Sequence, residues 1–162
     1  MNTIPEPFRD FWAHAQRVVP ELDAERFYEA FAFGDSESLA TELADLVVRG
    51  IKQATASLVW TYDVEHKPRP RPGDFSIVTT WDQRPLCIIE TTATDVVAFN
   101  AVTDAFAHAE GEGDGSLAHW RRAHTDFFQR ECVRIQRDPA PDMPVLCEHF
   151  RVVFCAQNAT AL

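Results

Sequence analysis

Four stretches rich in β-branched and aromatic residues, at 55–62, 75–80, 86–97 and 145–153, alternate with segments whose apolar residues recur at helical spacing. That pattern excludes an all-helical chain and predicts an α+β fold in which helices flank one sheet. Pro72-Gly73-Asp74 is a turn signal before the second stretch, and Trp81 to Pro85 reads as a hairpin that makes the second and third strands antiparallel neighbours.

Between the strands the helical signals are specific. Phe8, Phe11, Trp12 and Ala15 predict an N-terminal helix that stops before Pro20. A second helix starts at Asp35 or Ser36, carries Leu39, Leu43, Leu46 and Val47 on one face, and ends at Gly50. After Phe99 a short helix over 102–109 leads into the acidic loop Glu110-Gly111-Glu112-Gly113-Asp114-Gly115. A longer helix follows, capped by Asp114 or Ser116, with Leu117, Trp120, His124, Phe127 and Phe128 on its buried face. No repeat or long linker interrupts this order, so residues 1–162 read as a single domain, with 1–32 a helical extension packed on it.

Twenty-five acidic against fifteen basic residues give a net charge of −10, which repels duplex DNA at long range. The four cysteines, Cys87, Cys132, Cys147 and Cys155, form no Cys-x-x-Cys pair, so reduced thiols serving neither a metal nor a disulfide are expected. Without an apolar leader segment or membrane span, the expected location is cytoplasmic.

Three motifs suggest chemistry and fail on a missing part. His108-Ala109-Glu110 matches half of a zinc nucleobase deaminase, but Pro144 is followed by Cys147 alone rather than Pro-Cys-x-x-Cys. Glu110, Glu112 and Asp114 open like a calcium loop, yet the closing carboxylate position holds Arg121. The same loop lacks the Gly-Lys-Ser/Thr ending of a P-loop. Lys67-Pro68-Arg69-Pro70-Arg71-Pro72 is the one concentrated positive stretch, a splayed connector whose Arg69 and Arg71 could contact phosphates. Trp120 and His124, on the apolar face of their helix, suit core positions or a substrate-binding pair.

The strongest constellation is Gly50-Ile51-Lys52-Gln53-Ala54-Thr55, where a helix-ending glycine delivers a lysine and then a threonine to the first strand. Gly-x-Lys-x-x-Thr at a helix-to-strand junction resembles the signature of the ASCH domain, a relative of the PUA fold. Phe33-Gly34-Asp35-Ser36, the Pro-Gly-Asp turn, the Cys87 to Thr94 strand, His-Ala-Glu-x-Glu at 108–112 and Ser116 to Arg121 follow in the expected order, so the resemblance covers roughly 33–154.

The resemblance implies a small PUA-like mixed β-barrel and a shared site with catalytic residues Lys52, Thr55 and Glu112. Substrate contacts would fall to Ser57, Arg69, Arg71, Trp120 and His124. Ser57 stands where the broader family often has arginine. Family activities imply three readings: RNA binding with hydrolysis of single-stranded RNA, amide hydrolysis of N4-acylated cytidine nucleosides, or capture of RNA or a modified base without catalysis. In the amide reading Lys52 loses basicity by partial burial and activates Thr55 while Glu112 shuttles a proton. In the ribonuclease reading Lys52 neutralises phosphoryl charge. Either way Lys52 is expected at a cleft mouth, where its truncation costs no more than about 0.5 kcal/mol. No cofactor is expected, although the carboxylates from Glu110 to Asp114 could recruit a divalent metal. The expected partners are single-stranded RNA or a nucleoside, with at most a second copy in a homodimer, and neither duplex DNA nor a membrane.

Overall fold

The computed structural model describes residues 3–156. Its helices are α1 (Arg9–Val18), α2 (Glu37–Val48), α3 (Val59–Glu65), α4 (Asp104–Glu110) and α5 (Leu117–Arg134), and its strands β1 (Phe27–Phe31), β2 (Ala54–Leu58), β3 (Phe75–Thr79), β4 (Pro85–Ala98) and β5 (Pro144–Cys155). The strands form one mixed sheet in the order β1-β3-β4-β5-β2. β1 runs parallel to β3, whereas β3 with β4 and β2 with β5 are antiparallel. The α+β class with flanking helices is therefore as expected. The sheet is open among the described residues, with β1 and β2 outermost, so the barrel implied by the resemblance is not closed.

Two differences from the sequence reading have physical causes. The strand expected over 55–62 ends at Leu58, and the chain turns into α3, whose Val59 and Tyr62 are buried with Leu146. Apolar contacts one helical turn apart outweigh the β-propensity of Val59, Trp60 and Tyr62. β1 was not anticipated. It is five residues long and owes its place to parallel pairing with β3, a long-range partner that no local pattern announces.

The chain packs as two compact units. The first, within the described residues, comprises 3–50, 70–92 and 150–156. Here α1 buries Phe8-side apolar residues Trp12 and Ala15 against Phe27, Phe75, Ile77 and Ile88. Helix α2, capped by the Ser36 hydroxyl accepting from the Leu39 N–H at 3.3 Å, buries Leu43, Ala44 and Val47 beside Val78, Leu86 and Cys87. The second unit comprises 51–69 and 93–149. Its core joins Ala54, Ala56 and Leu58 of β2 to Phe106 of α4 and Trp120, Phe128 and Cys132 of α5. Thr103 and Ser116 cap α4 and α5 by accepting from Phe106 and His119 N–H groups. Among the described residues no helix is long and apolar enough to cross a membrane.

Candidate functional site

Gly50 leaves α2 with φ +73°, a left-handed value that glycine adopts without strain, and Lys52 enters the second unit two residues later. There the Gln53 N–H donates to the Ala109 carbonyl at 2.8 Å, stitching the lysine segment to the end of α4. Gly111, the residue after that helix, also has positive φ (+66°), and a Cβ there would lie 2.5 Å from the Ile51 carbonyl oxygen. Two backbone segments thus meet at a distance only glycine permits. Gly111→Ala is expected to lower stability by more than the ~1 kcal/mol typical of a helix-terminal glycine, because backbone must move as well. Gly50→Ala, whose Cβ would meet open space, should cost only the conformational part. Urea denaturation of both variants checks the order.

The close approach seals a buried polar cluster. Lys52 Nζ donates to Glu110 Oε2 at 2.6 Å and to Glu112 Oε1 at 2.8 Å, and Lys52 and Glu110 are each only 1% exposed. The second Glu110 oxygen accepts from the Trp120 indole N–H at 2.8 Å and lies 3.3 Å from His124 Nε2. Trp120 and His124 sit one turn apart on α5 and stack, with ring centroids 4.1 Å apart. His124 Nδ1 lies 3.0 Å from the Trp120 carbonyl. A ring with a carbonyl oxygen at one nitrogen and a carboxylate at the other satisfies both only as a donor at each, that is, as the imidazolium.

Charge assignments follow from this geometry. Burial alone would push Lys52 below its ordinary value, but Glu110 and Glu112 outweigh it and hold the ammonium above. Burial likewise favours a neutral Glu110, and Lys52 with His124 reverses this and depresses its carboxyl. His124 is raised despite burial, through its hydrogen bond to Glu110. Glu112 goes the other way: burial, reinforced by the neighbouring Glu110 charge, outweighs the Lys52 ammonium and raises it. With both cations charged the four groups balance to zero. Ligand atoms of Glu110, Glu112 and His124 lie within 4.8 Å of one another, close enough to hold a metal ion, but the Lys52 ammonium is bonded to both carboxylates and a cation would have to displace it.

A cleft of about 230 Å³ lies in the same unit, lined in part by Thr94, Asp95, Thr103, Phe106, Cys147 and His149. The Phe106 ring meets Trp120 of the cluster edge-on at 6.4 Å and His149 of the cleft at 5.4 Å. Cys147 is pushed up to about 12, by burial first and then by the charges of Glu110 and Asp95.

The family model of the ASCH domain matches residues 29–154. The chain belongs to the ASCH domain family. The solved structure of an ASCH domain from Lactobacillus crispatus JV V101 is 38% identical with a TM-score of 0.85, covering 93% of this chain and 96% of that one. A protein of known structure from Enterococcus faecalis V583 is 32% identical with a TM-score of 0.80, covering 90% of this chain and 88% of that one. No curated protein sequence matches.

Against this ASCH background the expected site residues separate. Lys52 and Glu112 come together. Thr55 is half-buried on the face of β2 opposite Ala54 and Ala56, across from Glu148, and takes no part in the hydrogen-bond network among the described residues. Ser57 shares that face. Trp120 and His124 are buried and hold Glu110, so they position a carboxylate where substrate contact was expected. Arg69 lies 3.7 Å from Asp63 with its side chain 42% exposed. Arg71, in the first unit, donates its backbone N–H to Asp74 at 2.7 Å. Lys52 itself is not the cleft-mouth residue expected, and its raised pKa corrects the idea that burial lowers its basicity. Glu110, the hub, enters the sequence reading only through half of a deaminase motif and a loop that could recruit a divalent metal, not as the partner of Lys52. Its signal was the lysine, since a buried ammonium requires a buried carboxylate.

Proposed function

We propose that this ASCH protein is a nucleoside-handling hydrolase that cleaves an uncharged amide on a base, of the N4-acylcytidine kind, with Glu112 as proton carrier. The observation that carries the reading is the double engagement of Lys52 by Glu110 and Glu112. An ammonium compensated by two carboxylates offers little positive potential to a phosphodiester, and the carboxylates repel one, whereas a neutral acyl group meets neither penalty. Two carboxyls displaced in opposite directions also divide the labour: depressed Glu110 stays ionised and anchors Lys52 and His124, and raised Glu112, the more exposed at 14%, can exchange a proton. Water is the nucleophile in this reading. Glu112 takes its proton as it attacks the acyl carbon and returns one to the departing amine, while Lys52 fixes the orientation of Glu112.

Arg69, exposed on the Pro-interleaved loop, favours a second reading, contact with single-stranded RNA. One experiment separates them. Purified protein is incubated with N4-acetylcytidine and, in parallel, with single-stranded RNA, and products are resolved by mass. Release of cytidine and acetate with intact RNA is expected. RNA fragments without deacylation would replace the amide reading with the ribonuclease one.

A further inference from the structure

The Ala156 N–H donates to the Leu86 carbonyl at 2.8 Å, fixing the register between the start of β4 and the end of β5. β4 and β5 are neighbours in the sheet, and because Leu86 is bonded to Ala156 at one end and Phe99 to Met143 at the other the two strands run antiparallel, so Cys87 faces Cys155. The site adjoins the bonded pair and is therefore the non-hydrogen-bonded kind, where Cα atoms approach to about 4.5 Å and both side chains leave the same face of the sheet. That separation falls inside the ~4.4–6.8 Å window a disulfide bridges without moving backbone. Cys155 packs on the apolar cluster that contains Cys87, and both are free thiols.

We propose that Cys87 and Cys155 form a redox-modification site, in which Cys155 attacks a low-molecular-weight disulfide and Cys87 resolves the adduct into an intramolecular bond. Exposure assigns the two roles. Cys87 is fully buried and out of reach of an external oxidant, while Cys155 is half-buried at the end of its strand. The contact between the thiols also prepares the attack: Cys87 hydrogen-bonds to Cys155 and holds it down to about 7 against its burial, and Cys87 itself is pushed far up. In the first step the Cys155 thiolate, having lost its proton to solvent, bonds to one sulfur of the disulfide and expels the other half as a thiolate. In the second, Cys87 gives up its proton and bonds to the Cys155 sulfur, expelling the remaining half. Two protein thiols are oxidised and one small disulfide is reduced to two thiols.

The sequence conceals this pair, because the two cysteines are far apart in the chain and only strand register joins them. Cys132 and Cys147 belong to the core of the other unit.

The test treats the full-length native protein with the aromatic disulfide dithio-bis-nitrobenzoate and follows both released thiol and protein mass. Two aromatic thiols should leave per chain with no adduct retained, the mass should fall by two hydrogens, and a non-reducing peptide map should join Cys87 to Cys155, reversed by dithiothreitol. Cys155→Ser should lose the fast release altogether. Cys87→Ser should release one thiol and keep the adduct on Cys155; because this substitution is in the core, its near-UV circular dichroism is compared with wild type, and the wild-type map stands whether or not it folds. A lasting adduct on wild-type Cys155, or a bond that includes Cys132 or Cys147 or links two chains, would overturn the proposal.

Discussion

Lys52→Ala is expected to destabilise the protein by roughly 3–5 kcal/mol, the cost of removing one partner from a buried ion pair, and to abolish the proposed hydrolysis. The size of the effect comes from what stays behind. Glu110, 1% exposed, and Glu112 would face each other with only His124 and the Trp120 indole to compensate them. Replacing both ends should recover part of the loss: Lys52→Met with Glu110→Gln removes the charges together and leaves a shape the site can accommodate. Urea denaturation of the single and double variants measures the coupling. A loss under ~0.5 kcal/mol for Lys52→Ala would mean that the ammonium is solvated and the cluster is not a unit.

The pH dependence of that loss has a definite sign. In the wild type, the depressed Glu110 contributes stability that is present above its ordinary 4.5 and fades as pH falls through its lower folded value. His124, raised above 6.5, contributes stability that is complete below 6.5 and fades as pH rises through its folded value. The raised Glu112 acts in the same direction as His124, since its stability is complete below 4.5 and declines as it ionises at higher pH. The joint contribution of Glu110 and His124 is therefore largest between 4.5 and 6.5. Without Lys52, only His124 is left to oppose burial, and both carboxyls rise. The variant should recover stability on acidification from neutrality, as Glu110 and Glu112 take up protons instead of remaining as buried carboxylates short of a cation. Thermal melts of both proteins across this range, at constant ionic strength, check the divergence.

The features legible in the sequence are those set by short-range chemistry. Ser36 and Ser116 cap helices that apolar periodicity announces, and Gly50 ends α2 at the residue where its left-handed φ is needed. The Lys52 motif and the 108–112 segment carried the family, and the chain does place Lys52 against Glu112. Features that depend on distant partners were out of reach. β1 exists through parallel pairing with β3, and α3 replaces half of an expected strand because Val59 and Tyr62 find Leu146. The burial of Lys52 is of the same kind. A lysine just past a helix end reads as a cleft-mouth group, and nothing local shows that the end of α4 returns against Ile51 beside it. Trp120 and His124 showed their helix face but not their shared acceptor.

Glu112→Gln and Glu110→Gln should separate proton transfer from anchoring, the two roles that one lysine joins. Glutamine at 112 keeps the size of the side chain and an oxygen that can accept from Lys52 Nζ, but it cannot take up a proton from water. If Glu112 carries the proton in amide hydrolysis, kcat should fall by about 100- to 10,000-fold. Stability should change little or improve near neutrality, because a carboxyl raised by burial costs free energy when it ionises, and glutamine removes that cost. Glu110→Gln reverses the pattern. Glu110 meets Lys52, Trp120 and His124 at once, and its depressed pKa shows that the ionised form holds the cluster together. Its neutral replacement removes the one carboxylate that Lys52, Trp120 and His124 all meet and should lower the unfolding free energy by several kcal/mol, roughly the range for a broken buried pair. His124 loses its main reason to stay protonated and should return toward or below its ordinary value, a shift that proton NMR of the imidazole would record. Any loss of activity in Glu110→Gln should then follow the fraction of folded protein and recover on cooling, whereas the Glu112→Gln defect should persist in fully folded protein. If instead Glu112→Gln turns over N4-acetylcytidine at the wild-type rate, the proton carrier is another group and the division of roles between the two glutamates fails.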